Sequence, residues 1–315
     1  MIRKAAIISI SGVSLTYQES NIFRNEKPWG VILFKRNISS EKQLRKLTNS
    51  IKQIMKDKKY PILIDEEGGR VSRLINFLDN SIFNQKYFGD IYKIDKNVGL
   101  SLYKTYIYTI SNHLKNLGIN INTSPVLDLH HKNGHRIIGD RSYSDKPNTI
   151  NKLGKLCAKF YRNNKIGTVI KHIPGHGRAN VDSHYKLPVV KTSLRTLKKN
   201  DFKCFKNIKS HFAMTAHILY SEIDKRYNAT HSRILIQKII RKEIGFRGIL
   251  ISDDISMKAL KYDIVKNAKL AHDAGCNLIL YCAGKTKDVK KLLSETPYID
   301  SFTKKKTSEF YKFLS

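Results

Sequence analysis

Acidic residues are scarce in this 315-residue chain, where 26 Asp and Glu face 58 Lys and Arg and leave a formal net charge of +32 at pH 7. Such an imbalance would suit nucleic acid or an anionic membrane surface as a partner. The lysines, however, are scattered along nearly every predicted helix, and no aromatic-basic recognition motif accompanies them. A Lys-, Asn- and Ile-rich composition of the kind that AT-rich coding produces accounts for the charge, and no nucleic-acid partner is expected. Long apolar runs are missing too. No stretch approaches the ~18 apolar residues of a bilayer span, so no membrane insertion is expected. Cys157, Cys204, Cys276 and Cys282 show none of the paired spacings of a zinc site or a disulfide framework, and fit a reducing cytoplasm. Arg3 and Lys4 precede a short apolar stretch, but no small-x-small cleavage site follows it, and it reads as a first buried strand instead of a signal peptide. With no linker, low-complexity tract or repeat, residues 1–315 are expected to form a single domain.

What is present is an alternation of short apolar β-type runs with longer amphipathic patterns, the signature of βαβ units and a parallel sheet. Eight runs qualify as strands: residues 5–10, 29–34, 61–65, 119–128, 168–173, 212–218, 248–253 and 277–281. Eight strands predict an α/β fold closed as a single (β/α)8 TIM-type barrel. Between them, Ser40 and Gln43 form a capping-box pattern ahead of Leu44, Leu47, Ile51 and Ile54, whose spacing predicts an amphipathic helix. Ser232 opens another helix that Gly245 closes, and a third, through Leu270 and Ala271, ends at Gly275.

In such a barrel the chemistry lies where the strands end, because the βα loops converge around one mouth. Asp65 ends the third predicted strand, Asp128 the fourth, Lys171 and His172 the fifth, His217 the sixth and Asp253 the seventh. A ring of polar groups from different strands predicts one pocket. Carboxylates, histidines and arginines together suit glycoside hydrolysis, in which one group protonates a leaving oxygen and another attacks or stabilises the anomeric carbon.

The motifs are long. Asp65-Glu66-Glu67-Gly68-Gly69-Arg70-Val71-Ser72-Arg73, Lys171-His172-Ile173-Pro174-Gly175-His176-Gly177, Asp182-Ser183-His184 and Ser252-Asp253-Asp254-Ile255-Ser256-Met257 closely resemble glycoside hydrolase family 3, in its NagZ-type β-N-acetylglucosaminidase branch. The resemblance runs in order from Gly30-Val31-Ile32-Leu33-Phe34 to Ala274-Gly275-Cys276 and so covers nearly the whole chain, whose length is like that of the single-domain form. It implies a retaining exo-β-N-acetylglucosaminidase with Asp253 as nucleophile, His184 as acid/base and Asp182 orienting its imidazole. A loop lets residues two apart face each other, which a helix forbids. The resemblance further points to Asp65, Arg73, Arg141, Lys171 and His172 as binding the sugar. Arg70 is a second candidate in its motif or a buried structural ion-pair member, and His176, with Gly175 and Gly177, is expected to shape the loop that carries His184. It also implies a cytoplasmic, monomeric enzyme that acts on peptidoglycan-derived muropeptides in cell-wall recycling, with no metal or cofactor. Two positions depart from the family pattern, Arg178 after Gly177 and Thr123-Ser124 before Pro125. A metal hydrolase built on His172, His176, Asp182 and His184, a phosphorylase using the same site, and an inactive sugar-binding barrel remain the rival functions.

Overall fold

The computed structural model describes residues 2–131, 134–183 and 185–315. Ten strands occur among them: β1 (Lys4–Ile8), β2 (Pro28–Leu33), β3 (Ile62–Ile64), β4 (Ile121–Asn122), β5 (Gly167–Ile173), β6 (Val189–Val190), β7 (Phe212–Thr215), β8 (Leu219–Tyr220), β9 (Ile249–Asp254) and β10 (Leu278–Tyr281). Eight of these close into a parallel barrel in the order β1-β10-β9-β7-β5-β4-β3-β2, while β6 and β8 pair separately above it. Nearly every residue of the eight is buried. That is why they read as continuous apolar runs: both faces of a parallel barrel strand are covered, one by the barrel interior and one by helices.

The fourth strand is far shorter than the predicted 119–128. Pro125 has no N–H to give to the ladder. Pairing resumes only where Lys171 N donates to Pro125 O at 3.2 Å and Leu127 N to Lys171 O at 2.6 Å. The helix Glu41–Ile54 buries Leu44, Leu47 and Ile51 as its spacing predicts. Ser40 Oγ accepts from Gln43 N at 3.2 Å, but the Gln43 side chain returns to Ser39 N at 2.9 Å, one residue before the cap, so the capping box is only half formed. The segment after Ser232 is helical, with Ser232 Oγ accepting from Leu235 N at 3.1 Å. Over Leu235–Glu243 it winds as a π-helix, and Ile244 N donates to Ile239 O five residues back. Gly245 beyond it takes φ +80°, and Gly275 likewise ends the helix Ile264–Ala274 at φ +116°. Both angles favour a residue without Cβ.

One helix has no counterpart in the predicted pattern. Ser301–Leu314 runs across the amino-terminal end of the barrel and sends Phe310 against Phe212, edge to face at 5.1 Å. Phe212 in turn meets Trp29 at 5.5 Å, and Trp29 Nε1 donates to Thr307 Oγ1 at 2.9 Å. The barrel interior is therefore packed solid at that end, leaving the carboxyl ends of the strands for a cavity.

Candidate active site

A cavity of about 210 Å³ opens at the carboxyl ends of the strands and is lined in part by Asp65, Arg73, Arg141, Lys171, His172 and Asp253. The five predicted sugar-binding residues and the predicted nucleophile therefore meet around one space, although up to 188 positions separate them in sequence (Asp65 to Asp253). Asp65 follows β3 directly, Lys171 and His172 are the fifth and sixth residues of β5, Arg141 ends a short 3-10 turn, and Asp253 lies near the end of β9.

One wall is an alternating lattice of charge. Lys171 Nζ lies 3.0 Å from Asp65 and 2.6 Å from Glu67. Arg141 grips Glu67 with Nε and Nη2, both at 2.8 Å, and Arg73 Nη2 reaches Asp65 at 3.3 Å. Thr123 Oγ1 accepts from Lys171 at 2.9 Å and also bonds Asp65, which gives the Thr123 departure a role in this wall. Burial alone would raise the Asp65 carboxyl, but Lys171 and Arg73 hold it well below the usual carboxylate range. Burial of Glu67 is outweighed in the same way by Arg141 and Lys171, which bring its pKa down to about 2. The motif alone gives Glu67 no role. Two cations in the predicted site, Lys171 and Arg141, call for a second acid beside Asp65, and that is the available signal.

Asp253 faces the cavity differently from its neighbour. Among the described residues its side chain accepts one hydrogen bond, from Asp254 N to Oδ1 at 2.8 Å. Asp254 has both oxygens engaged: Ser256 N at 3.0 Å and Cys282 N at 3.1 Å bond one, and Ser256 Oγ at 2.7 Å the other. Burial raises Asp254, whereas for Asp253 burial is outweighed by the His217 and His172 rings and the Asp254 amide, so its pKa falls. Asp254 is thus bound on both oxygens, while the Asp253 side chain accepts one bond among the described residues.

Two members of the predicted ring stand behind the cavity and do not line it. Asp128 is fully buried and accepts from His172 Nδ1 at 2.7 Å, His172 N at 3.2 Å and His176 N at 2.6 Å, which fixes both histidines from below. His217 sits beneath β9 and bonds the Asp254 carbonyl. Both are expected at strand ends, but they lie beyond the last paired residues of β4 and β7, where strand alternation no longer sets the direction of a side chain. Arg70 is not buried either. Its side chain is 43% exposed, paired with Asp140 at 2.8 Å, and binds the carbonyls of Arg136 and Ile137 at the rim.

His184 lies outside the described residues. Asp182 is half-buried, with its carbonyl accepting from Tyr185 N and Lys186 N, both at 3.0 Å. The intervening Ser183 is buried against the cavity, and its Oγ lies 3.0 Å from His176 Nε2. His176 therefore holds this loop, as its motif suggested, and burial with the nearby His172 brings its pKa down to about 4. Gly177 is needed for close approach, because a Cβ there would come within 1.8 Å of Leu129 O. The Arg178 departure has a partner: Nε binds Asp201 at 2.8 Å, and Asp201 also meets His131 Nε2 at 3.1 Å.

Residues 5–300 match the glycosyl hydrolase family 3 N-terminal domain. A β-hexosaminidase of Methylobacillus flagellatus is 31% identical over 283 residues, 88% of this chain and 79% of that protein. One of Bordetella avium is 29% identical over 298 residues, 92% of this chain and 84% of that protein. In fold, the chain is similar to NagZ from Neisseria gonorrhoeae in complex with N-trifluoroacetyl-D-glucosamine, with a TM-score of 0.88 at 27% identity, covering 100% of this chain and 90% of that one.

Proposed function

We propose that this chain, which belongs to glycosyl hydrolase family 3 and is a glycoside hydrolase, releases β-linked N-acetylglucosamine from the non-reducing end of a carbohydrate by two displacements at the anomeric carbon. The observation that carries this is the division of charge in the cavity. Asp65 and Glu67 are matched by Lys171, Arg73 and Arg141, and Asp254 is held by Ser256 and Cys282, so among the described residues Asp253 alone of these four keeps a carboxylate oxygen for the substrate.

In the first displacement that oxygen attacks C1 and the bond from C1 to the leaving oxygen breaks. The leaving oxygen keeps the electron pair and takes a proton from His184, with Asp182 stabilising the imidazolium. In the second, water attacks C1, the ester to Asp253 breaks to return the carboxylate, and a water proton passes to His184. Asp65, Arg73, Lys171, Arg141 and His172 hydrogen-bond the hydroxyls and acetamido group. A sugar lacking one of these hydroxyls leaves a buried polar group unpaired, which is a strong basis for rejection. The cavity of about 210 Å³ lies below the roughly 300–1,000 Å³ of sites for drug-sized ligands, a size for one sugar ring and in keeping with exo action.

The enzyme acts, on this reading, as one catalytic unit and as a monomer in a bacterial cytoplasm. Its substrates there are N-acetylglucosaminyl-1,6-anhydro-N-acetylmuramyl fragments, with or without peptide. The relatives named β-hexosaminidase favour neither phosphorolysis nor binding without turnover. Product analysis on such a fragment in phosphate buffer tests the reading: free N-acetylglucosamine is expected, and N-acetylglucosamine 1-phosphate, or no product, would overturn it.

A further inference from the structure

Behind Asp253 runs a line of hydrogen bonds that belongs neither to the cavity wall nor to the catalytic motifs. Asp253 N–H donates to Thr215 Oγ1 at 3.3 Å. Thr215 Oγ1 lies 2.8 Å from Thr230 Oγ1, which lies 2.7 Å from His217 Nδ1. His217 Nε2 then reaches the Asp254 carbonyl oxygen at 3.0 Å. Thr215, His217 and Thr230 have no exposed surface at all.

A carbonyl oxygen only accepts, so His217 Nε2 carries a hydrogen toward Asp254. A threonine hydroxyl both donates and accepts, and Thr230 Oγ1 also lies 3.4 Å from the Ala216 carbonyl oxygen, so the line stays bonded whichever way the two hydroxyls turn. Thr230 itself is pinned, since its N–H donates to Asn228 Oδ1 at 3.0 Å.

The line begins and ends on the two residues that matter. It holds the N–H of Asp253 and the C=O of Asp254, and the N–H between them donates to Asp253 Oδ1 at 2.8 Å. Satisfying a buried histidine would require only two partners anywhere in the core. Here the partners close a loop around the Asp253–Asp254 peptide unit, directly behind a carboxylate that lines the cavity.

We infer that Thr215, Thr230 and His217 are positioning residues that aim the Asp253 carboxylate at the anomeric carbon, with Thr230 the joint that transmits the hold of the His217 ring to β9. This rests on Asp253 being the nucleophile. A displacement of reacting atoms by about 1 Å costs on the order of 100-fold in rate, so the line is read most directly in the rate at which the glycosyl-enzyme forms.

Thr230→Val keeps the shape and removes both roles of the hydroxyl, Thr230→Ser restores the hydroxyl, and Thr215→Val cuts the line one bond nearer Asp253. The measurements are kcat and KM on a dinitrophenyl N-acetylglucosaminide, and the rate of labelling by a mechanism-based fluorosugar followed by intact mass. Thr230→Val and Thr215→Val are expected to lower kcat and labelling rate on the order of 10- to 100-fold with KM little changed, and Thr230→Ser to return within a few-fold of the parent. Folded valine variants that label at the parent rate, or a serine variant no better than valine, would overturn the inference. If Thr230→Val does not fold, Thr215→Val with Thr230→Ser decides it. Labelling of the parent protein at a residue other than Asp253 would instead remove the nucleophile on which the inference rests.

Discussion

Lys171 stands between two carboxylates, and Arg141 closes on one of them with two parallel bonds, so neither Asp65 nor Glu67 can take a proton without losing a buried partner. Their folded pKa values lie below the ordinary ones, about 2 for Glu67 against 4.5. A carboxyl of that kind contributes stability that is complete above its unfolded pKa and is lost as pH falls toward the folded value. Urea unfolding between pH 7 and pH 3 should therefore show stability falling once pH drops below about 4.5, with a shallower fall in Glu67→Gln. Identical slopes in the two proteins would mean that Glu67 is not held as a buried anion. At this scale much was legible. That Asp65, Arg73, Lys171, His172 and Asp253 meet at one cavity could be anticipated because their motifs are long and in register, and Arg141 joins them there. Glu67 and the supports Asp128 and His217 could not be sorted, because all three lie beyond the ends of the strands that carry them, where no fixed period says which way a side chain faces.

The loop after β5 is tied at three points, through His176 to Ser183, through Arg178 to Asp201, and through His135 N to Ala179 O at 2.7 Å. It carries Asp182 and, beyond the described residues, His184. Protonation of the leaving oxygen matters most for a poor leaving group such as a sugar alcohol and least for an activated phenol. His184→Ala is accordingly expected to lose far more activity on a disaccharide than on a dinitrophenyl glycoside, with Asp182→Asn showing a milder form of the same split. Equal losses on both substrates would return the pair to a structural role. Arg178→Ala, which frees one tie, should show the same direction of split at smaller size, with kcat on the disaccharide as the readout. Elements were less legible than residues. The fourth strand is predicted too long because Val126 and Leu127 resume the apolar pattern beyond Pro125, whereas regular pairing ends at Asn122, and apolar spacing alone does not separate the π-helix Leu235–Glu243 from an α-helix.

The whole molecule separates stability from chemistry by its two ends. Phe310, Phe212, Trp29 and Thr307 plug the amino-terminal end, while the charged cavity occupies the other. Closure into a barrel could be read from eight apolar runs, but the plug could not, since Phe310 meets Phe212 about a hundred residues away in sequence and Thr307 meets Trp29 nearly three hundred away. Phe310→Ala should cost about 3–5 kcal/mol and lower Tm in a thermal melt, leaving kcat and KM at 25 °C unchanged. A variant with normal Tm, or with altered kinetics while folded, would contradict that separation.

The most direct test is the identity of the residue that becomes glycosylated. The purified protein would be inactivated with a mechanism-based fluorosugar derived from N-acetylglucosamine, digested, and the modified peptide sequenced by mass spectrometry. The account predicts one adduct per chain on Asp253, and none in Asp253→Ala, which should fold and not turn over. An adduct on Asp254 or Asp65, or steady hydrolysis by Asp253→Ala, would contradict it.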